Sequence, residues 1–256
     1  MTDGSDEKRE TAASFGAATA EYLASDVHRT GGDLERLAEW CRDAETALDV
    51  ATGAGHTAGA VAAAAGVRSV VAADASPAMV ETAVTEFDGV EGVVADAERL
   101  PFDAGSFDAV TCRIAAHHFP DPRAFVASVA RVIRPGGTFA FEDNVAPEPT
   151  DLGEFIDRVE RTRDPTHVES HPTERWCAWL REHGFAVETV EHRKKRLEFE
   201  PWVRAQSLDA ERRERVERVL LNAPEDARSF FEIRVENGRV RSFANYKALI
   251  CSTRSA

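Results

Sequence analysis

The chain has 256 residues, of which 43% are hydrophobic, so it is long enough to form one large domain around a sizeable core. Its 45 acidic and 31 basic residues give a net charge of −14, which disfavours nucleic-acid phosphate as a partner and leaves no polybasic patch for a membrane surface. No apolar run approaches the ~18 residues of a membrane span, and the first residues lack the pattern of a signal peptide. We therefore expect a cytoplasmic protein without membrane insertion.

The chain begins with a charged stretch, residues 1–10, which we expect to be frayed. Residues 12–24 are rich in alanine and contain two aromatic side chains, a composition that favours a helix. A further helix is predicted with Asp33 as its N-terminal cap and Trp40 near its end. Residues 1–44 are therefore expected to form N-terminal helices in front of the main sheet.

Short apolar runs then alternate with helical patterns. Ser76 followed by Pro77 begins one of these helices and Pro122 begins another, because proline is favoured in the first turn. Strands that alternate with helices at this spacing are typical of α/β proteins with a doubly wound parallel sheet. The predicted strands in this part of the chain are residues 47–51, 69–73, 90–95, 107–112 and 138–142.

Beyond residue 144 the regular alternation stops. Asn237 followed by Gly238 is the strongest two-residue turn signal and predicts a hairpin around it. Trp176 and Trp179 lie on one side of a predicted helix and are expected to be core residues. The predicted elements of this part are helices at 151–161, 173–183 and 209–221, a strand at 185–190, and hairpin strands at 230–235 and 240–250.

These patterns predict a single domain over residues 1–256. A core at 45–144 is followed by polar insertions at 145–172 and 194–240, which we expect to form a small cap. The four cysteines are scattered without C-x-x-C spacing, so we expect reduced core thiols rather than disulfides or a zinc site.

One stretch, ALDVATGAGHTA at residues 47–58, joins a strand to a helix in a way that suits ligand binding. Gly53 and Gly55 lack Cβ, so the backbone can turn sharply and approach a ligand closely. The following helix directs its first amide groups towards the same place. The stretch fits the G-x-G-x-x-G/A fingerprint of dinucleotide-binding proteins. The glycines alone leave open a nucleotide site and a tight turn that serves only packing.

Three carboxylates stand at the ends of successive predicted strands: Asp49, Asp74 and Asp96. The carboxyl ends of parallel strands share one rim, where ligands bind. Asp74 lies about 20 residues beyond Gly53, the spacing at which an acid accepts hydrogen bonds from ribose hydroxyls. A nicotinamide-dependent oxidoreductase would explain Asp74 but neither Asp49 nor Asp96, whereas the sulfonium and ammonium groups of S-adenosylmethionine give Asp49 a partner. A nucleotide-binding module without catalysis, or carboxylates that only cap helices and turns, are the further alternatives.

Four segments resemble motifs of the class I S-adenosylmethionine-dependent methyltransferases and are most similar to the branch of ubiquinone and menaquinone C-methyltransferases. They are DVATGAGHTA, VAADASPAMV, ADAERLPFDAGSFDAVTCRIAAHHFPD and RVIRPGGTFAFEDN. The resemblance is strong over residues 45–144 and moderate over the rest. It implies a doubly wound, Rossmann-like, seven-stranded and mostly parallel sheet with an antiparallel last strand and helices on both faces.

The resemblance also implies S-adenosylmethionine as the cofactor. Asp49 would aid its ammonium group and Arg113 would contact its methionine moiety. Asp74 would hold the ribose hydroxyls, and Asp96 would accept a hydrogen bond from the adenine amino group, with the Ala97 amide on the ring. The implied cofactor-binding residues are Asp49, Gly53, Gly55, Asp74, Asp96, Ala97 and Arg113.

His117 and His118 follow the fourth predicted strand, at the rim where a methyl acceptor would lie. Either could deprotonate an acceptor, because an unperturbed histidine titrates near neutrality. A hydrogen bond to the backbone within the loop would explain each of them equally well.

The insertion after the fifth strand holds further candidates for substrate binding, although solvated loop polarity explains them as well. They are Asn144, Asp164 and His167. Metal binding by the last two with His171 is a weak alternative, and we expect no metal. The sequence thus predicts in-line methyl transfer to a small-molecule acceptor that it does not identify, and it does not predict the oligomeric state.

Overall fold

The computed structural model describes residues 4–24, 29, 31–148, 150–206 and 208–256. Among these residues, eight strands form one sheet. The strands are β1 (Thr46–Val50), β2 (Ser69–Asp74), β3 (Val90–Val94), β4 (Phe107–Arg113), β5 (Ile133–Asn144), β6 (Phe185–Glu198), β7 (Arg234–Glu236) and β8 (Arg239–Arg254).

The strand order is β3-β2-β1-β4-β5-β8-β6, with the short β7 paired to β8. Strands β1 to β5 pair with one another in parallel. Strand β8 runs antiparallel to both β5 and β6. The predicted doubly wound, mostly parallel sheet with an antiparallel last strand is therefore confirmed, and the short β7 is an eighth strand beyond the seven predicted. Because the strand order reverses between β1 and β4, their carboxyl ends border a crevice that suits a ligand.

Helices cover both faces of this sheet. Leu37 and Val61 pack on the face that includes the alanines of β1 and β4, whereas Phe125, Trp176 and Trp179 pack on the opposite face. Both tryptophans are core residues, as predicted. Within the described ranges, no helix combines the length and apolar character needed to cross a bilayer. The helices are α1 (Gly4–Ala17), α2 (Thr19–Ala24), α3 (Gly32–Trp40), α4 (His56–Ala62), α5 (Pro77–Glu86), α6 (Pro122–Val132), α7 (Thr150–Arg163), α8 (Thr173–Glu182), α9 (Phe199–Arg204), α10 (Ala210–Leu221) and α11 (Glu225–Phe230).

A second apolar cluster lies where β6 and β8 extend beyond the rest of the sheet. Leu197 of β6 and Phe243 of β8 pack with Phe155 of α7, Trp202 of α9 and Leu220 of α10. Apolar side chains on separate helices can be buried only against such a shared cluster. The polar insertions of the sequence thus have a core of their own, beside the carboxyl end of β5.

Strand β6 and the first hairpin strand differ most from their predicted bounds. Strand β6 continues to Glu198, because the basic residues 193–196 that follow the predicted strand also pair with β8. The predicted first hairpin strand, residues 230–235, is reduced to Arg234–Glu236, since the preceding residues form α11. The turn itself is as predicted: Asn237 and Gly238 have φ of 51° and 73°, the positive values that a two-residue hairpin turn requires.

The N-terminal predictions need two corrections. Helix α1 already begins at Gly4, so the expectation of fraying over residues 1–10 is wrong from residue 4 onwards; residues 1–3 lie outside the described part. Helix α3 has Gly31 at its N-cap position, so Asp33 is not the cap. Asp33 is instead a buried residue of the first turn, and its carboxylate has a distant partner described below.

Candidate active site

A cavity of about 410 Å³ lies along the carboxyl ends of β1 to β4. Gly53, Asp96 and Ala115 line it from the loops that follow three of these strands. Its outer side is closed by the N-terminal helices through Phe15 of α1 and Tyr22 of α2. A site between a rigid sheet edge and covering helices matches the usual position of ligands in this architecture.

The cavity brings together half of the predicted site residues. Those in its lining are Gly53, Asp74, Asp96, Ala97, Arg113 and His118. Those outside its lining are Asp49, Gly55, His117, Asn144, Asp164 and His167. The second group still matters, because several of its members hold the first group in place.

Glycine is required at the two positions of the loop after β1 for different physical reasons. Both have positive φ, 55° for Gly53 and 94° for Gly55. A Cβ on Gly53 would meet no protein atom within 4 Å, so this position faces open space. A Cβ on Gly55 would lie 2.7 Å from the Cα of Ala83 on α5. Gly53 therefore leaves room for a ligand, whereas Gly55 permits the close packing of the loop on a neighbouring helix.

Strained backbone marks the ends of both central strands. Ala51 and Ile114 have φ of 52° and 55°, and both line the cavity. A positive φ is especially unfavourable for a β-branched residue such as isoleucine. Ile114 is held by its amide, which donates to the Glu142 carbonyl at 2.8 Å. Each such residue costs about 1–3 kcal/mol, and such strain clusters at functional sites.

Asp74 connects the glycine loop to the end of β2. Its Oδ2 accepts a hydrogen bond from the Gly53 amide and its Oδ1 accepts one from the Ser76 amide, each at 2.9 Å. Burial raises the pKa of Asp74 in spite of these two amides. A carboxylate oxygen has a second lone pair, so this residue can also accept hydrogen bonds from hydroxyl groups in the cavity.

Asp96 stands at the end of β3 and is joined to the N-terminal helix. Its Oδ1 accepts from the Glu98 amide at 3.0 Å, and its Oδ2 accepts from Lys8 Nζ at 2.8 Å. Lys8 is also paired with the Glu98 carboxylate. This ammonium group therefore ties α1 across the rim at which the sequence predicts adenine binding.

Asp49 lies behind the wall of the cavity. It is 1% exposed, and Thr52 Oγ1 and Thr111 Oγ1 each donate to its carboxylate at 2.6 Å. Burial raises the pKa of Asp49 to about 6, although both hydroxyls favour its ionised form. Thr52 itself lines the cavity. The Thr52 hydroxyl thus lies between Asp49 and the cavity, so the predicted contact of Asp49 with a cofactor would be indirect.

Arg113 lies in a buried network of charges at the end of β4. Its Nη2 donates to Asp33 Oδ2 and its Nε to Glu142 Oε2, each at 3.0 Å. Lys247 Nζ donates to the other oxygen of Glu142 at 3.2 Å. Although burial favours the neutral form of Asp33, the three cations around it, Arg113 first, hold its pKa well below the usual range. Paired carboxylates make a buried guanidinium tolerable and fix its direction.

The two adjacent histidines have opposite surroundings. Asp143 accepts from the His117 amide at 2.7 Å and contacts His117 Nδ1 at 2.6 Å. Burial lowers the pKa of His117, but this carboxylate outweighs it and raises the pKa overall. His118 Nδ1 lies 2.9 Å from the Thr166 carbonyl. Burial first, and then the charge of His117, lower the pKa of His118 to about 3.

The remaining predicted substrate residues lie behind His118. Asp164 is 3% exposed and accepts from the Thr166 amide at 2.9 Å and from Gln206 Nε2 at 2.6 Å. His167 Nε2 lies 2.9 Å from Asp157 Oδ1. Asn144 Oδ1 accepts a long hydrogen bond from Asn245 at 3.5 Å. Among the described residues, no group of three or more acidic, histidine or cysteine side chains is arranged to hold a metal.

Comparisons with known proteins identify the family. The methyltransferase domain family matches residues 48–141, from β1 into β5. The uncharacterized methyltransferase YcgJ of Bacillus subtilis is 36% identical over 237 residues, which are 90% of this chain and 93% of that protein. The chain belongs to the S-adenosylmethionine-dependent methyltransferases.

Solved structures agree with this assignment. The crystal structure of YcgJ has a TM-score of 0.83 at 33% identity and matches 88% of this methyltransferase and 98% of that chain. The crystal structure of a putative methyltransferase from Bacillus halodurans C-125 also has a TM-score of 0.83, at 35% identity, and covers 88% of this chain and 100% of that one. The demethylmenaquinone methyltransferase of Clavibacter sepedonicus is 34% identical over 170 residues, 58% of this chain and 68% of that protein.

The N-terminal helices form the part of the cavity wall that the sequence did not predict. Lys8, Phe15 and Tyr22 all line the cavity. Phe15 also packs edge-to-face on His118, with ring centroids 4.9 Å apart. The contact between Lys8 and Asp96 spans 88 residues of sequence. No local pattern encodes such a contact, and only the charge of Lys8 could have drawn attention to it.

Proposed function

We propose that this methyltransferase binds S-adenosylmethionine in the cavity at the ends of β1 to β4. The observation that carries the proposal is that Asp74 and Asp96, from adjacent strands, line one cavity of about 410 Å³ together with the open face of Gly53. Asp74 would accept from the ribose hydroxyls, and Asp96 from the adenine amino group, with the Ala97 amide on the ring. These residues fit the cofactor as acceptors, because each carboxylate oxygen keeps a lone pair beyond the amide and Lys8 hydrogen bonds described above.

The methionine end would meet Thr52 and Arg113. Because the Thr52 hydroxyl donates its hydrogen to Asp49, its lone pairs remain for an ammonium group on the cavity side. Asp49 would therefore act on the ammonium through Thr52 and through its charge. Arg113, oriented by Asp33 and Glu142, supports binding of the methionine carboxylate.

When bound, the cofactor supplies the sulfonium methyl group for in-line displacement. The chain supplies orientation and exclusion of water, which together can lower a barrier by about 7–11 kcal/mol, so no strong base is needed. The Thr166 carbonyl can only accept, so Nδ1 of neutral His118 carries its hydrogen and Nε2 is an acceptor. We infer that Nε2 of His118 accepts a hydrogen bond from the molecule that is methylated. His117, held by Asp143, positions the loop after β4.

The acceptor would be a small molecule that enters beside the cap. We infer that residues 145–172 and 194–240 form this cap, because α7, α9 and α10 share their own apolar cluster with the extended ends of β6 and β8. Asn144, Asp164 and His167 would support the substrate side from behind His118. Among possible acceptors, the similarity to a demethylmenaquinone methyltransferase favours a quinone-related molecule.

Replacement of Asp74 tests this proposal. Each charged hydrogen bond contributes roughly 1.5–3 kcal/mol, so Asp74→Asn should weaken binding of S-adenosylhomocysteine about tenfold to several hundredfold. Asp88→Asn, at an exposed aspartate just before β3, is the matched control and should leave affinity unchanged. Isothermal titration with S-adenosylhomocysteine, and in parallel with NADH, measures both. Unchanged affinity in Asp74→Asn, or tight binding of NADH by the wild type, would contradict the proposed site.

A further inference from the structure

Arg113 is the residue through which a buried network of charges reaches the cavity. It lines the cavity, yet its side chain is only 3% exposed. Its Nε donates to Glu142 Oε2 and its Nη2 donates to Asp33 Oδ2, each at 3.0 Å. Two carboxylates thus bind two different nitrogens of one planar group, and together they fix the plane of the guanidinium beside the cavity.

Lys247 of β8 binds the other oxygen of Glu142. The Glu142 side chain has 0% exposure and the Lys247 side chain 3%. Lys247 Nζ donates to Glu142 Oε1 at 3.2 Å, whereas Arg113 donates to Oε2. Each oxygen of this buried carboxylate therefore has a cation of its own, so Glu142 cannot turn without breaking a charged hydrogen bond.

The register of three adjacent strands brings these side chains together. Arg113 of β4 is directly opposite Glu142 of β5, and Lys247 of β8 is opposite Asn144, two residues beyond Glu142. Residues two apart on a strand share one face of the sheet. Arg113, Glu142 and Lys247 therefore lie side by side on one face, across the change from parallel to antiparallel pairing.

Asp33, the second carboxylate beside Arg113, is also contacted by a lysine. Lys195 Nζ of β6 lies 3.6 Å from Asp33 Oδ2, the oxygen that accepts from Arg113. The Lys195 side chain is 24% exposed, compared with 3% for Lys247. Ion pairs weaken with exposure to water. Of the two lysines, Lys247 is therefore the stronger support for the direction of Arg113.

The residues that support Arg113 lie outside the segment matched by the methyltransferase family. Asp33, Glu142, Lys195 and Lys247 fall outside residues 48–141 and outside the lining of the cavity. Arg113 belongs to both the matched segment and the lining. The supporting residues can therefore act on a bound ligand only through Arg113.

We propose that Lys247 is a positioning residue for the cofactor: it holds Glu142, Glu142 directs Arg113, and Arg113 binds the methionine carboxylate. The proposal rests on the proposed function, in which that carboxylate meets Arg113. Without Lys247, one oxygen of a fully buried carboxylate loses its charged donor, so Glu142 turns towards other donors and no longer fixes the guanidinium. The loss of affinity is then specific to ligands that carry a carboxylate.

The test compares two ligands that differ only in that carboxylate. The full chain is titrated calorimetrically with S-adenosylhomocysteine and with its decarboxylated analogue, which keeps the adenosine, the thioether and the amino group. Lys247→Met removes the ammonium group at similar length. It should weaken binding of S-adenosylhomocysteine about five- to thirtyfold and change binding of the analogue by less than about twofold. Lys194→Met is the matched control, because this exposed lysine of β6 donates to the Phe230 carbonyl, and it should leave both affinities unchanged.

A double variant separates positioning from stability. Lys247→Met leaves a buried charge with an unpaired oxygen and should lower the unfolding midpoint. Lys247→Met combined with Glu142→Gln removes that charge, so it should recover part of the midpoint while binding of S-adenosylhomocysteine stays weak. Unchanged affinity for S-adenosylhomocysteine in both variants, or an equal loss for the two ligands, would overturn the proposal. Absence of S-adenosylhomocysteine binding by the wild type would instead contradict the proposed function, and with it the role of Lys247.

Discussion

Replacement of Asp49 by asparagine should make the ligand-free protein more stable at neutral pH and weaken its binding of the cofactor. Asp49 is 1% exposed, and its two side-chain hydrogen bonds come from neutral hydroxyls. Burial raises its pKa and outweighs these hydrogen bonds as well as the charge of Arg113 and the Ala58 amide, which also favour the ionised form. Asparagine has the same shape, and the hydroxyls of Thr52 and Thr111 can rotate to donate to its oxygen or accept from its nitrogen. The substitution therefore removes a buried charge with little change in packing.

The size of the effect follows from the pKa. Burial raises the pKa of Asp49 from 3.8 to about 6. Since each pKa unit corresponds to about 1.4 kcal/mol, ionised Asp49 costs the native state about 3 kcal/mol at pH 7. The native state keeps its proton up to about pH 6 while the unfolded chain loses it near pH 4, so this cost appears as pH rises through that window and is absent below it.

Thermal and urea unfolding of wild type and Asp49→Asn between pH 4 and pH 7.5 measure this difference. At pH 7 the variant should melt about 6–12 °C higher, from about 2–4 °C per kcal/mol for a domain of this size, and the gap should close towards pH 4. Asp108→Asn is the matched control on β4. The amides of Thr46 and Glu45 together with Arg134 lower the pKa of Asp108 in spite of its desolvation, so this variant should lose stability at pH 7.

Binding of S-adenosylhomocysteine gives the functional half of the prediction. The wild-type affinity should fall as pH drops below about 6, because protonated Asp49 no longer favours an ammonium group, whereas Asp49→Asn should bind at least tenfold more weakly at pH 7 and show a flatter profile. A variant that is less stable than wild type at pH 7, or a stability difference that does not change between pH 4 and pH 7, would refute the reasoning.

Two further predictions concern the walls of the cavity. Lys8→Met should speed dissociation of S-adenosylhomocysteine about two- to fivefold in stopped-flow measurements, since partly exposed ion pairs contribute about 0.2–1 kcal/mol and here they tie α1 to Asp96 and Glu98. Arg215→Met is the control, because this exposed arginine lies outside the cavity lining and pairs with Glu211 one turn away on α10. Equal dissociation rates in the two variants would contradict a role of Lys8 in holding α1 over the cavity. His118→Ala should lower kcat about ten- to a hundredfold for any acceptor found, with the pH profile from 6 to 9 keeping its wild-type shape. If the pH profile of kcat in the wild type contained a transition near neutrality that is absent in His118→Ala, the neutral hydrogen-bonding role of His118 would be contradicted.

The sequence allowed the prediction of the sheet and of the rim, because both depend on local patterns. Apolar runs of strand length alternate with helical segments, and this alternation predicts β1 to β5 in their order along the chain. The carboxyl ends of parallel strands meet at one edge of the sheet. This rule is enough to predict that Asp74 and Asp96 lie close together, and both line the same cavity. The glycine loop after β1 is recognisable in the sequence because it too is a local pattern.

Contacts between distant segments were not predictable in this way. Asp33 precedes an apolar helical pattern, which is also the signature of an N-terminal cap, but its carboxylate pairs with Arg113, 80 residues later. The role of Lys8 likewise depends on where α1 packs. The two partners of Asp49 are threonines on different segments, and the spacing of the sequence does not reveal that they lie within 2.6 Å. Pairings of this kind are determined by tertiary packing alone.

The loop after β4 is joined by hydrogen bonds to the segment between α7 and α8. The His117 carbonyl accepts from the amides of Val168 and Glu169 at 2.9 and 3.2 Å, and the Thr166 carbonyl fixes the hydrogen on His118 Nδ1. The protonation state of His118 therefore depends on a segment outside the cofactor-binding core. In the proposed site, a change in this segment would therefore alter how His118 meets the methyl acceptor, while Asp74, Asp96 and the glycine loop stay the same. This separation gives a physical reason why one cofactor-binding core can serve methyltransferases with different acceptors.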